Sequence, residues 1–91
     1  MAVRVKIPSP LRQAAGGQSE LEVNASNVVG ILEELDKHFP GFRARLVDEK
    51  GNLRRFITFY VNGEDIRLKE GLATPVNDGD EVLILPAVAG G

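Results

Sequence analysis

The chain has 91 residues, a formal net charge of −2, 43% apolar and 26% charged residues, which together predict one ordinary soluble domain. It contains no cysteine, which excludes disulfide scaffolds, zinc–thiolate sites, iron–sulfur clusters and thiol nucleophiles. No long basic run neutralises phosphates, no segment has transmembrane length, and the N-terminus interleaves charged with apolar residues, so we expect a cytoplasmic protein that binds neither nucleic acid nor membrane.

The first predicted element is a β-hairpin. Apolar residues alternate with charged ones over residues 3–7, which indicates a strand with one buried face. Pro8 ends that strand, Gly16-Gly17 marks a turn, and residues 20–23 alternate again in a second strand. We therefore predict that the two strands pair across a long loop.

An amphipathic helix follows the hairpin. Asn24 or Ser26 is the predicted N-cap, because either side chain can accept a free backbone N–H. Apolar residues then recur at helical spacing at Val28, Ile31, Leu32, Leu35 and Phe39. This pattern predicts a helix of about three turns that ends at Pro40-Gly41, before a short helical turn and a loop over residues 42–52.

The second half of the chain reads as strands and turns. Residues 54–61 are rich in aromatic and β-branched types and predict a strand, which Asn62-Gly63 turns through a type I′ hairpin. Ile66 and Leu68 are assigned to a short return strand. Residues 72–76 are irregular, and another turn is expected at residues 77–80.

The last strand is an unbroken apolar run over residues 82–85, which predicts a central strand covered on both faces. Strands grouped around one main helix predict an α+β domain over residues 1–86, with one sheet packed on that helix. Ile57, Phe59 and Val61 should face the helix. The predicted partner surface on the opposite face comprises Phe56, Tyr60, Leu83 and Leu85. The alternative is that residues 42–52 cover these side chains.

Five small residues follow Pro86, namely Ala87, Val88, Ala89, Gly90 and Gly91. When extended they reach ~17 Å, and glycine offers the thinnest backbone for a narrow channel, so residues 87–91 are predicted to be a flexible tail that threads into a partner. ATP can convert the Gly91 carboxylate to an acyl-adenylate, which a sulfur nucleophile can turn into a thiocarboxylate. The alternative is an ordinary mobile terminus without function.

Other polar residues have simpler interpretations. His38 lies near the C-terminus of the predicted helix, and Asp78 with Asp80 and Glu81 fits a turn better than a calcium loop. A basic cluster comprises Arg43, Arg45, Lys50, Arg54 and Arg55. It is either a solvated surface or a contact for an acidic patch on a partner. No catalytic residue or metal site is predicted.

The chain resembles the ThiS/MoaD family of ubiquitin-like sulfur carriers over nearly all of its length. The segments that carry the resemblance are YVN (60–62), EDIR (64–67), GLAT (71–74), NDGDEVLI (77–84) and LPAVAGG (85–91). They are most similar to the branch of the family that serves cysteine synthesis. The resemblance implies the ubiquitin-like β-grasp fold, an α+β architecture in which a mixed sheet packs on one main helix.

The resemblance also implies a set of partners. A ThiF/MoeB-type enzyme would adenylate Gly91 with ATP and magnesium, and sulfur would then give the thiocarboxylate. A pyridoxal-phosphate cysteine synthase would accept that sulfur, and a zinc-dependent JAMM-type peptidase would release the product. This chain itself binds no cofactor in that scheme, and it is a co-substrate rather than an enzyme.

Other destinations stay open at this point. Family members also serve molybdopterin, thiamin or other thio-metabolite synthesis. A ubiquitin-like modifier joined to lysines through Gly91 would use the same adenylate. A binding-only domain would tolerate the deletion of Gly90-Gly91.

Overall fold

The computed structural model describes residues 2–86, without the side chain of Pro86. Five strands form one sheet: β1 (Ala2–Lys6), β2 (Glu20–Asn24), β3 (Ile57–Val61), β4 (Glu64–Asp65) and β5 (Glu81–Pro86). The α-helices are α1 (Ser9–Arg12), α2 (Val28–His38) and α3 (Phe42–Leu46), and 3₁₀ turns cover Gln13–Ala15, Ile66–Leu68 and Gly71–Ala73. The strand order is β2-β1-β5-β3-β4, with β1 and β5 parallel and the other pairs antiparallel. The predicted α+β class with a mixed sheet is confirmed.

The β1–β2 hairpin is confirmed, with Val3 opposite Val23 and Val5 opposite Leu21. Its long connection is more ordered than predicted, because α1 begins right after Pro8. Pro10 is tolerated in the first turn of α1, where a backbone N–H has no helical partner to lose.

The helix α2 has the predicted length of about three turns, but neither predicted N-cap residue, Asn24 or Ser26, is the observed one. The N-cap is Asn27, whose Oδ1 accepts the Gly30 N–H at 2.8 Å. Asn24 cannot cap the helix because it pairs with Ala2 in β2. No helix among residues 2–86 has both the length and the apolar content required to cross a bilayer.

The strand β3 begins at Ile57, so the prediction that it starts at residue 54 is wrong. The Arg54 carbonyl accepts the Ile57 N–H at 3.0 Å, which closes a turn instead of extending a ladder. The Asn62-Gly63 hairpin turn is confirmed by positive φ values of 50° and 85°. The turn at residues 77–80 is confirmed too, since the Asp80 N–H donates to the Asn77 carbonyl.

The predicted return strand at Ile66 and Leu68 is wrong, because β4 stops at Asp65. The Asp65 side chain accepts the Arg67 N–H at 2.9 Å and starts a 3₁₀ turn in place of the strand. This turn buries Ile66 completely and leaves Leu68 86% exposed.

One core lies between the sheet and the helices. Its buried members on the sheet include Val5, Val82, Ile84, Phe59 and Val61, and its members on the helices include Ile31, Leu35, Phe42 and Leu46. The strand β5 is central in the sheet, as predicted, but it is covered on one face only. Leu85 stays 37% exposed, so the prediction of cover on both faces is wrong.

Candidate functional site

The predicted attachment residue Gly91 and the threading residues Ala87, Val88, Ala89 and Gly90 lie outside the described residues. The structure does describe the residues that immediately precede this segment. The last residue pair of β3 and β5 is Ile57 with Pro86. We call this pair the tail root. It lies at one end of the two strands, at the opposite end from the Asn62-Gly63 turn.

The outer face of β3 and β5 is apolar. Tyr60 pairs with Leu83 and Thr58 with Leu85, so the predicted partner residues on these strands lie side by side. Phe56 immediately precedes β3 and is 51% exposed. We call Phe56, Tyr60, Leu83 and Leu85 the outer patch. It lies next to the tail root.

Residues 42–52 do not cover the outer patch. Phe42, Leu46 and Val47 from that segment are buried in the core, where α3 packs against α2. The exposed side chains of Phe56 and Leu85 are therefore available for contact with another protein.

Leu68 adds an apolar side chain that the sequence did not single out as a surface residue. It lines a cleft of about 400 Å³ together with Tyr60, Asp65 and Lys69. Ile66 and Leu68 were assigned to one return strand, but the 3₁₀ turn buries Ile66 and leaves Leu68 exposed. Leu68 thus extends the apolar surface beyond the edge of β3.

The other half of the outer face is charged. Arg4 pairs with Glu22 and Lys6 with Glu20 across β1 and β2, and the Lys6 ammonium lies 3.4 Å from the Glu81 carboxylate. Opposite charges across neighbouring strands favour this register. The sheet therefore offers a partner an apolar half beside the tail root and a charged half away from it.

The predicted basic cluster does not form a surface of one sign. Arg43 and Arg54 line a cavity of about 380 Å³, but Asp36, Asp48 and Glu49 line it as well. The Arg54 guanidinium donates twice to the Ala44 carbonyl, at 3.1 and 3.0 Å, and so closes the end of α3.

The acidic turn at residues 77–80 is used for structure. The two carboxylate oxygens of Asp80 accept from the Asn62 side chain at 2.9 Å and from the Asn77 N–H at 2.8 Å. Asp78 accepts the Ala2 N–H at 2.8 Å. Within residues 2–86 no group of three or more acidic or histidine side chains has a geometry that could hold a metal ion.

Comparison with known proteins extends these observations. Residues 5–91 match the ThiS family. The sulfur carrier protein CysO of Mycobacterium tuberculosis is 44% identical, in an alignment that covers 100% of both chains.

Solved structures show the same fold. A chain in the crystal structure of the Amycolatopsis orientalis BexX/CysO complex superposes with a TM-score of 0.92 at 47% identity, over 99% of this chain and 100% of that one. Small archaeal modifier protein 1 of Methanosarcina acetivorans gives a TM-score of 0.83 at 38% identity, over 99% and 96%. The fold is the ubiquitin-like β-grasp.

Proposed function

Because the chain belongs to the ThiS family, we propose that it is a sulfur carrier whose Gly91 carboxylate is adenylated and then converted to a thiocarboxylate. The observation that carries this proposal is the 44% identity to the sulfur carrier protein CysO over the whole of both chains. The family match also runs through the last residue of the sequence, so it includes Gly90 and Gly91.

The chemistry divides between this chain and its partners. A carboxylate oxygen of Gly91 attacks the α-phosphate of ATP, pyrophosphate leaves, and the acyl-adenylate forms. A sulfur nucleophile then attacks the acyl carbon, AMP leaves, and the thiocarboxylate remains. The chain acts as a co-substrate in both steps. ATP and magnesium are bound by a ThiF/MoeB-type enzyme, because this sequence has no phosphate-binding loop of its own.

The outer patch is the proposed docking surface for the activating enzyme. Leu83 and Leu85 belong to the strand that ends at the tail root, so a partner that binds them also holds the residue that precedes residues 87–91. The 37% exposure of Leu85 and 51% exposure of Phe56 leave apolar area to bury on association. Contacts at the outer patch can contribute the binding free energy for a reaction at Gly91, because glycine itself has no side chain for a partner to recognise.

Cysteine synthesis is the proposed destination of the sulfur. A pyridoxal-phosphate cysteine synthase would accept it from the thiocarboxylate and leave cysteine attached to Gly91. A zinc-dependent JAMM-type peptidase would then release the cysteine. The support for this destination over molybdopterin or thiamin synthesis is the resemblance to the cysteine-synthesis branch of the family, together with the 44% identity to the carrier CysO.

The test is intact mass spectrometry after incubation with a ThiF/MoeB-type enzyme, magnesium-ATP and a sulfide source. We expect a gain equal to the replacement of one oxygen by sulfur. A matched variant that lacks Gly91 should show no gain. An unchanged wild-type mass, with the same enzyme preparation active on another carrier, would overturn the proposal.

A second experiment tests the destination. The purified thiocarboxylate is mixed with the cysteine synthase and O-phosphoserine, and the expected product is the chain with one cysteine added at Gly91. A thiocarboxylate that forms but does not react would reject cysteine synthesis and retain the carrier.

Protein modification is the second candidate function. The likeness to small archaeal modifier protein 1, at 38% identity, favours it specifically. In that case a lysine amine of another protein attacks the acyl carbon of the Gly91 adenylate, AMP leaves, and an isopeptide bond forms. Isopeptide-linked adducts in place of a thiocarboxylate would identify this alternative.

A further inference from the structure

Asn62 and Gly63, at the turn between β3 and β4, form a chemically reactive pair. Asn62 is the only one of the five asparagines in the sequence that glycine follows. No heavy atom beyond those of Gly63 and its chain neighbours lies within 4 Å of the place that a Cβ at Gly63 would take, so nothing shields its backbone nitrogen. Within residues 2–86 the Gly63 N–H makes no backbone hydrogen bond. This nitrogen is therefore free to attack a neighbouring carbonyl carbon once it loses its proton.

The side-chain amide of Asn62, by contrast, is held at both of its polar atoms. Its Nδ2 donates to Asp80 Oδ1 at 2.9 Å, and its Oδ1 accepts the Glu81 N–H at 3.0 Å. These two bonds direct the side chain across to the start of β5. Attack by the Gly63 nitrogen would turn the side chain back onto its own backbone, so it could not keep both bonds. We call the Asp80 carboxylate and the Glu81 N–H the Asn62 clamp.

The Asn62 clamp is itself held by the turn before β5. The second carboxylate oxygen of Asp80 accepts the Asn77 N–H at 2.8 Å, and the Asp80 N–H donates to the Asn77 carbonyl at 3.0 Å. The Asp80 carbonyl accepts the Arg4 N–H from β1 at 2.9 Å. The Asn62 N–H donates to the Glu81 carbonyl at 2.8 Å, so backbone and side chain are tied to the same strand. The clamp therefore releases the amide only when the ends of β3 and β5 separate.

We propose that Asn62 is a deamidation site that the native fold protects through the Asn62 clamp, with water as the second reactant. The Gly63 nitrogen bonds to the side-chain carbonyl carbon of Asn62, while the proton of that nitrogen passes through solvent to Nδ2. The C–Nδ2 bond breaks, ammonia leaves, and a succinimide ring remains. Water then adds to one of the two ring carbonyls and breaks its bond to nitrogen, which gives aspartate or isoaspartate at this position.

Deamidation damages the junction that the clamp maintains. Aspartate in place of Asn62 puts a second carboxylate where Nδ2 donated to Asp80, and like charges at hydrogen-bond distance repel. Isoaspartate adds a backbone carbon to a turn whose φ values of 50° and 85° fit two residues of ordinary length. Tyr60 and Leu83 of the outer patch pair one step further along the two strands beyond Val61 and Val82, so the modification also loosens that end of the patch.

The first test follows Asn62 by peptide mass spectrometry while the purified chain is incubated in a mildly alkaline buffer. The mass change for replacement of the side-chain NH2 by OH identifies deamidation. We expect the reaction to be at least about tenfold faster in urea than in the native chain. Asp80→Ala should accelerate it about fivefold in the native chain, because half of the clamp is lost. Asp78→Ala is the matched control: it removes a carboxylate of the same turn that contacts Ala2 instead, and its rate should stay within about twofold of the wild type.

Three kinetic results would overturn the inference. The first is an equal rate in the native and the urea-unfolded wild type. The second is an equal rate for Asp80→Ala and Asp78→Ala. The third is deamidation in urea that is no faster at Asn62 than at the other asparagines. The first and third need no variant, so they decide the matter even if Asp80→Ala does not fold.

A stability measurement tests the clamp without the chemistry. Asn62→Asp mimics one product and should lower the urea midpoint, because it places the new charge against Asp80. Asn52→Asp adds the same charge at an exposed asparagine outside the clamp and should lower the midpoint less. Equal midpoints for the two variants would mean that the Asn62 side chain is not held by Asp80, and this result also overturns the inference.

Discussion

Asn27 fixes the start of α2 through a single side-chain hydrogen bond. Its backbone is extended, with φ of −156°, and its Oδ1 accepts the Gly30 N–H at 2.8 Å. We expect Asn27→Ala to lower the free energy of unfolding by about 1 kcal/mol, because the Gly30 N–H loses its partner in the first turn. Urea denaturation followed by circular dichroism measures this change.

Ser26→Ala is the control for that prediction. Ser26 is exposed and its backbone carbonyl, not its hydroxyl, accepts the Val76 N–H. The expected change is below about 0.5 kcal/mol. A larger loss for Ser26→Ala than for Asn27→Ala would contradict the capping role assigned to Asn27.

Asn27 also shows why the cap could not be chosen from the sequence. Asn24, Ser26 and Asn27 are all good capping types within four residues. The choice depends on where β2 stops, and Asn24 is taken by its pairing with Ala2. Asn27 is further held by a bridge to Pro75, a contact across 48 positions that no local pattern reveals.

At the scale of elements, alternation predicted which face of each strand is buried but not where the strands end. Ile57, Phe59 and Val61 face the core as expected, and Tyr60 with Leu83 lies on the other face. The errors occur where a side chain competes with the ladder. Asp65 captures the Arg67 N–H and converts the expected return strand into a 3₁₀ turn.

Two phenylalanines near the start of β3 test the difference between its faces. Phe59 is fully buried and Phe56 is 51% exposed. We expect Phe59→Ala to lower the free energy of unfolding by about 3–5 kcal/mol, because a core ring leaves a cavity. Phe56→Ala should cost less than about 1 kcal/mol, yet raise the KM of adenylation about tenfold through lost docking area.

The measurements are urea denaturation for stability and initial rates at varied carrier concentration for KM. Each variant replaces a phenylalanine with alanine, so the two variants control for each other. An unchanged KM for Phe56→Ala would remove this residue from the docking surface. A stability loss equal to that of Phe59→Ala would mean that Phe56 supports the core.

At the scale of the whole molecule, the two ends of the chain complete the sheet together. The first strand, β1, lies between β2 and the last strand, β5. Backbone hydrogen bonds also join β1 to the turn that precedes β5. The Gly79 N–H donates to the Ala2 carbonyl at 2.8 Å, and the Arg4 N–H donates to the Asp80 carbonyl at 2.9 Å. Local periodicity could not predict this parallel pairing, because strands so far apart in the sequence share no signal; only the family resemblance implied it.

This closure predicts that the domain unfolds as one cooperative unit. Tyr60 is the only tyrosine and there is no tryptophan, so its fluorescence reports on the outer face of β3 and β5, while far-ultraviolet circular dichroism reports mainly on α2. Because α2 packs on the same core as β1 and β5, we expect one urea midpoint for both signals. A Tyr60 transition at lower urea would instead mean that β3 and β5 separate while α2 persists. Strands that separate so readily could not hold the tail root in place for a partner.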